Sequence, residues 1–502
     1  MHYIVSIDVG TSSLRGIIFD QKGRMIFSSK QEYCPEYNKH LNYVEQNPDT
    51  WQKALIFVLE EVSHFIKDNG LEISAIAVAS QRASVIPVDK ECMPLFNAIM
   101  WQDKRSLKVC DKIEKITGKE ELYKRTGLRL DPYFSLPKMI WIKEEMPEIY
   151  KNTYKLIGVQ DFIIYQLTKK YITDWTQASR TMLMDIRKFT WDEEILRISG
   201  LKESILPELC PPGSIVGNLT DEISNLTGLE AGIPVIIAGG DQQCAAVALN
   251  VIKDGFAEAN TGTGSFVIAY SEEPVFDEKI RTLCSAAAVP GKWIAEAGMF
   301  TTGAIYRWFK EQLCEFNKDN QEIFEAINEE IENTPVGSNG IIILPHFEGS
   351  AAPYWNPLAK GVIFNLTLGT KRGDIARAIL EGICTEIAKN ILLIENIKGK
   401  IHTISVAGGL TKFKLFNQMQ ADSFNKRVIK YPESEASSLG AAIIAFTALG
   451  IYKDYEEAFS NMVTEDPVVY EPIEDNVKLY REIMNKKERL YYALLEKGLY
   501  NL

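Results

Sequence analysis

The segment Asp8-Val9-Gly10-Thr11-Ser12-Ser13 follows a short β-branched run that reads as a buried strand. A carboxylate at a strand end, then glycine and hydroxyl residues, can hold Mg²⁺ while neighbouring N–H and hydroxyl groups meet phosphate oxygens. Gly239-Gly240-Asp241-Gln242-Gln243 repeats the arrangement after the apolar run 234–238. Two glycines there permit close approach of a substrate, and the carboxylate can take a proton from its hydroxyl. A third segment, Asn260-Thr261-Gly262-Thr263-Gly264-Ser265, is a glycine turn between two apolar runs, with backbone N–H groups that can wrap phosphates. Gly408-Gly409 adds a strand–glycine–helix context suited to a nucleotide. Together these suggest transfer of a phosphoryl group from ATP to a small hydroxylated substrate. Each alone admits a plainer use: Asp8 as a turn cap, Asp241 as a helix N-cap, Gly262-Thr263 as a hairpin turn.

The acceptor side is suggested by Gln81-Arg82 and by Trp101-Gln102-Asp103. Arginine offers several donors to hydroxyl oxygens, and an indole ring offers an apolar wall for C–H faces. Tyr133 and Phe266 would be similar walls. Trp101 could equally be a core aromatic with its N–H satisfied. No G-x-x-x-x-G-K-[ST] loop, no dinucleotide fingerprint between strand and helix and no G-x-S-x-G elbow occurs. Five histidines form no pair at catalytic spacing.

The elements that must hold these groups read as mixed α/β. Runs 3–9, 14–19 and 24–29 form antiparallel hairpins, with Gly10 and Asp20-Gln21-Lys22-Gly23 as punctuation. Residues 50–67 have helical spacing, and 73–79 is a strand with 85–88 as its expected antiparallel neighbour. Helices follow across 106–166. A second cycle has the same grammar: strands 256–259 and 266–269 around the glycine turn, helices 302–313 and 320–332, a long helix from 372 to 394, strand 404–407 and a small-residue helix 437–448. A chain of 502 residues exceeds one ordinary core, so two domains are expected, 1–247 and 248–502, coupled without a Gly/Ser linker and with a cleft between them. In open α/β sheets ligands bind at strand ends.

Hydrophobic residues make up 46% and charged residues 24%, as in a soluble globular protein. The net charge of -12 argues against a nucleic-acid or anionic-membrane surface. Eight widely spaced cysteines show no C-x-x-C pair or zinc pattern, so buried free thiols are expected. No signal peptide and no run of about 20 apolar residues is visible, which leads to the expectation of a cytoplasmic protein.

The combination resembles the FGGY carbohydrate kinase family over essentially the whole chain. Tyr133-Phe134-Ser135-Leu136-Pro137-Lys138-Met139-Ile140-Trp141-Ile142-Lys143-Glu144-Glu145 fits one family signature. The stretch from Gly408-Gly409-Leu410 to Gln418-Met419-Gln420-Ala421-Asp422 is similar to the second. Gly349-Ser350-Ala351-Ala352-Pro353-Tyr354-Trp355-Asn356-Pro357 and Gly361 resemble the family's loop before the last part of the sheet. The resemblance implies two actin-like, ribonuclease-H-like domains closing around a sugar and MgATP. It makes Asp241 the general base and gives the metal to Asp8 and Asp241. It gives the nucleotide to Thr11, Ser12, Gly262, Thr263, Gly303, Gly408 and Gly409. It also admits a homodimer.

Within the family, Gln81, Arg82, Trp101, Tyr133, Asp241, Gln242 and Phe266 are similar to the glycerol kinase pocket. The departure is Ala83, where glycerol kinases carry glutamate. Its absence removes two acceptor oxygens and leaves space, and a polar site discriminates through such partners. Xylulokinases carry Gln-Met-His at this place, which the chain does not match either. A ketopentose or related keto-sugar is the expected acceptor, with glycerol or a longer polyol as the alternative. A non-catalytic actin-like sugar-binding regulator is the alternative of another class.

Overall fold

Alternation along Tyr3–Val9 decides what each face of the first sheet does. Val5, Ile7 and Val9 are buried on one side; Ile4 is buried on the other, and by the period-2 pleat Asp8 shares its face. The computed structural model describes residues 2–38, 40–314, 320–432 and 435–501. Tyr3–Val9 pairs antiparallel with Ser13–Asp20, which pairs with Met25–Glu32. On its other edge Tyr3–Val9 runs parallel to Ile73–Ser80, which runs parallel to Pro234–Gly240; Ser214–Asn218 closes the sheet antiparallel.

The second sheet repeats this plan. Phe256–Thr261, Ser265–Ser271 and Trp293–Met299 are antiparallel neighbours. Thr403–Ala407 and then Arg427–Lys430 lie parallel beyond Phe256–Thr261. Leu283–Ala286 and Val468–Tyr470 form the edges. Both sheets therefore have three antiparallel strands followed by two parallel ones, each with strand order 3-2-1-4-5 at its centre. This is the two-domain α/β architecture expected from the sequence.

Each sheet has an outer and an inner face. Helices Pro48–Asn69 and Val159–Thr168 cover the outer face of the first sheet, against Ile76, Val78, Val235 and Ile237. Helix Arg372–Lys398 covers the outer face of the second, against Ala257, Val267 and Ala295. The inner faces look toward one another. Between them pack helices Asp241–Ala248 and Ala436–Ala448, joining Ile4, Ala75, Ala77, Ala79 and Ala238 to Ile268, Tyr270 and Ile294 in one core. The alanine-rich inner strands let the helices come close. The helices also touch each other: a Cβ on Gly440 would lie 1.7 Å from the Cys244 carbonyl oxygen, so only glycine fits. This shared core explains why no flexible linker separates the halves.

The strand 85–88 departs from expectation. Ile86–Val88 pairs with Lys155–Ile157, not with Ile73–Ser80. Both edges of Ile73–Ser80 are taken by parallel partners. Pro87 lacks the N–H that a central ladder requires. Ala83 turns the chain out of the sheet with a left-handed φ of 67°. The eight cysteines are free thiols. Among the described residues no helix is long and apolar enough to cross a membrane.

Candidate active site

Sheet register brings the first set of groups together. Val9 lies beside Ser80, and Ser80 beside Gly240, so three parallel strands end at one level. Asp8, Gln81-Arg82 and Asp241 are consequently neighbours although up to 233 positions separate them in the chain. Asp241 is the first residue of its helix, and Gly240 takes the N-cap position. The plainer reading of Asp241 as an N-cap therefore does not hold. Asp241 Oδ1 accepts from the Gln242 N–H at 2.8 Å, and 35% of the side chain remains exposed. Burial raises its pKa, opposed by Arg82.

Arg82 is buried and heavily restrained. It donates to Gln242 Oε1 at 2.6 Å and to Gln243 Oε1 at 3.1 Å, with Nε 3.7 Å from Asp241 Oδ1. Gly240 has to be glycine for this: its Cβ would sit 2.5 Å from Arg82 Cδ. Arg82 is thereby held beside the carboxylate and outside hydrogen-bond distance of it.

Asp8 has a different environment. Its Oδ1 is sealed from solvent and has no hydrogen-bond partner. Burial, then the neighbouring Asp241, push its carboxyl up to about 7, with Arg15 opposing. An orphaned buried carboxylate oxygen beside a second carboxylate is the chemistry that a divalent cation satisfies. Among the described residues no group of three or more His, Cys, Asp and Glu could hold a metal alone. Two carboxylates without further protein ligands suit Mg²⁺, which keeps waters and takes phosphate oxygens.

Thr11 was expected on the nucleotide side. The structure joins it to two residues expected on the acceptor side: the Trp101 indole N–H donates to Thr11 Oγ1 at 3.0 Å, and that hydroxyl donates to Gln81 Oε1 at 3.4 Å. Ser12 is exposed at the hairpin tip. Trp101 and Tyr133 are in ring contact, with centroids 5.4 Å apart. Phe266 belongs to the other domain, on the inner face of the second sheet, and is 44% exposed. Ala83 is buried.

Lys138 shows why the signature 133–145 matters physically. It is fully buried inside helix Ser135–Glu145. Its ammonium donates to the carbonyls of Tyr133 (2.5 Å), Pro132 (2.9 Å), Phe134 (3.1 Å) and Ala83 (3.3 Å). Burial lowers its pKa to about 7. One lysine thus fixes the backbones that carry Tyr133 and residue 83.

The glycine residues converge in the second domain. Gly303 N–H donates to the Gly262 carbonyl at 3.0 Å, and Thr302 N–H to the Thr263 carbonyl at 2.8 Å. Gly408 packs on Thr261, where a Cβ would lie 2.4 Å from its carbonyl oxygen. Gly262, Thr263, Gly408 and Gly409 are exposed, and a Cβ on Gly409 would meet nothing within 4 Å. These residues leave an open, side-chain-poor surface at the ends of three strands.

Arg180, Gln243, Glu258 and Glu296 were not singled out from sequence. Arg180 donates to Glu296 Oε1 at 2.9 Å and to Ser285 Oγ at 3.1 Å, and lies over the Tyr133 and Phe134 rings. The available signal was the repeated Ala-Glu-Ala at 257–259 and 295–297: a charge at the centre of an otherwise apolar strand.

Family models for the N-terminal and C-terminal domains of the FGGY family of carbohydrate kinases match residues 3–248 and 257–449. The chain belongs to this family. It is a carbohydrate kinase, a phosphotransferase acting on a sugar or polyol. Glycerol kinase from Thermococcus gammatolerans is 34% identical, with 94% of this chain and 93% of that protein covered. Gluconokinase from Bacillus subtilis is 30% identical, with 96% and 94% covered. The ligand-bound structure of xylulose kinase from Lactobacillus acidophilus superposes with a TM-score of 0.91 at 25% identity, covering 99% of both chains. The relatives are thus named for three different acceptors, and membership of the family alone does not fix the acceptor of this chain.

Proposed function

We propose that this FGGY kinase transfers the γ-phosphoryl group of ATP to a hydroxyl of a ketopentose or related keto-sugar, with Asp241 as general base. The observation that supports this most is the pairing of two carboxylates with different environments at one level of the first sheet. Asp241 keeps part of its surface open to an incoming hydroxyl, while Asp8 presents an orphaned oxygen. Asp8 with Asp241 would hold Mg²⁺, which when bound supplies charge stabilisation to the transferring phosphoryl group.

Arg82 and Gln242 orient the acceptor hydroxyls, and Trp101 and Tyr133 wall its carbon skeleton. Gly262, Thr263, Gly408 and Gly409, with Gly303 supporting the turn, receive the nucleotide from the other domain. Thr11 contributes to the acceptor wall through Trp101, and Ser12 lies at the rim. The domains divide as 1–247 for the acceptor and 248–502 for the nucleotide. Closing the cleft around both ligands excludes water that would otherwise take the phosphoryl group.

Ala83 favours the keto-sugar. An alanine is smaller than a glutamate and carries no acceptor oxygens, and a longer carbon chain would need that difference in size. Glycerol is the second reading, favoured by the 34% identity with a glycerol kinase. ADP release measured against a panel of ketopentoses, pentitols and glycerol tests the choice. A ketopentose should give the highest kcat/KM. A wide preference for glycerol would overturn the keto-sugar reading.

A further inference from the structure

Alternation in the second sheet sends its two central charges inward. Ala257, Ala259, Ala295 and Ala297 are buried against the outer helix, so Glu258 and Glu296 face the first domain with Ile268 and Ile294. Both carboxylates are buried. Only one of them finds cations. Glu296 Oε1 accepts from Arg180 at 2.9 Å and stands 4.0 Å from Arg82 Nη1. Glu258 Oε2 has no partner. Burial and then Glu296 push the Glu258 carboxyl up to about 8, whereas Arg180 and Arg82 outweigh burial and keep Glu296 below the ordinary range. Glu296 therefore carries the negative charge of this cluster.

Both arginines belong to the acceptor pocket. Arg82 reaches Gln242 and flanks Asp241, and Arg180 lies beneath the Tyr133 ring at 5.5 Å and the Phe134 ring at 5.1 Å. Glu296 and Ser285 are on the opposite domain. We propose that Glu296 is a positioning residue for the acceptor pocket, reaching across from the second domain to fix Arg82 beside Asp241 and Arg180 beneath Tyr133. The first domain's pocket is then complete only while strand Trp293–Met299 is seated against it. Without this anion Arg180 keeps only the Ser285 hydroxyl among these partners and Arg82 keeps Gln242 and Gln243, so Arg82 is free to close its 3.7 Å gap to Asp241. This inference rests on the acceptor reading above.

The test uses the full-length chain with its best acceptor from the panel, and compares Glu296→Gln, Arg180→Gln and the double variant. Each single change should raise the acceptor KM at least tenfold, with the same weakening in calorimetric acceptor binding, and leave the ATP KM within threefold. The double variant should lose no more than the worse single one, because the two groups act as a unit. Multiplying losses, equal shifts in both KM values, or an acceptor KM within twofold of the parent in Glu296→Gln would overturn the proposal. Should Glu296→Gln fail to fold, Ser285→Ala removes only the hydroxyl bonded to Arg180. It should raise the acceptor KM two- to fivefold with the ATP KM unchanged, and no rise would equally overturn it. A parent that phosphorylates no sugar or polyol would instead sink the functional reading, which is a different result from an active parent indifferent to residue 296.

Discussion

Replacing Asp241 by asparagine, assayed at saturating Mg²⁺ so that the loss of one carboxylate beside Asp8 is offset, tests the proposed proton acceptance with little change of shape. The amide has the same size, and its oxygen can still accept from the Gln242 N–H, now at 2.8 Å. Arg82 keeps its bonds to Gln242 and Gln243 at 2.6 and 3.1 Å, so the acceptor wall should stay in place. What is lost is the carboxylate proposed to take the hydroxyl proton, together with its charge toward Mg²⁺. Positioned proton transfer typically contributes about 10²–10⁴-fold, or roughly 3–5 kcal/mol of barrier at about 1.4 kcal/mol per decade. The expected outcome is a fall in kcat of that size, with acceptor affinity by calorimetry within about threefold, the margin those retained contacts allow. Coupled ADP release gives kcat, and thermal unfolding checks that the fold is retained. A kcat within threefold of the parent would remove Asp241 from the role of base. A collapse of acceptor affinity with kcat preserved would make it a binding group instead.

Asp8→Ala should raise the Mg²⁺ concentration needed for half-maximal rate by about tenfold or more, while acceptor binding changes little; Mg²⁺ titration against calorimetry checks it. Ala83→Glu should raise the kcat/KM ratio of glycerol to the best ketopentose by at least about tenfold, by restoring acceptor oxygens and removing volume. Glu258→Gln should flatten the loss of stability toward alkaline pH. The folded carboxyl titrates near 8 rather than its ordinary 4.5, so the parent's stability from this group is complete below 4.5 and is lost as pH rises to about 8. The difference is on the order of 4 kcal/mol at most, and urea unfolding at pH 5 and pH 9 measures it.

Local rules made much of this fold legible. The hairpins at 3–29, the glycine turn at 262–264 and the helices at 302–313 and 437–448 follow from alternation, spacing and punctuation that act within a few residues. Strand pairing does not obey the same rules. The partner of Ile73–Ser80 was misjudged because adjacency in sequence competes with a parallel strand about 160 residues away, and only Pro87 hinted at the outcome. The places of Asp8, Asp241 and the glycines at strand ends were readable because a polar residue at the end of an apolar strand is conspicuous. The hydrogen bonds of Thr11 were not readable because its partners, Trp101 and Gln81, come from other parts of the chain. Lys138, Arg180 and Glu296 were opaque for the same reason. A buried charge is explained by its counter-groups, and theirs come from the other domain or from carbonyls that no sequence pattern marks.

The repeated sheet gives a physical reason for the location of the chemistry. Each sheet covers its outer face with its own helices and leaves an inner face whose strands end in glycine, hydroxyl and acidic residues. Packing the inner faces around Asp241–Ala248 and Ala436–Ala448 buries the apolar part of each strand. The polar ends remain at the mouth of the interface. The helix that begins with Asp241 belongs to this shared core, and Gly440 presses on it from the second domain. The ion pair between Arg15 and Glu435 crosses the boundary near Asp8. A displacement of one domain is therefore felt at both carboxylates. If the proposed closure around the ligands takes place, it also moves Asp241, because the helix that begins with Asp241 is an element on which the domains meet.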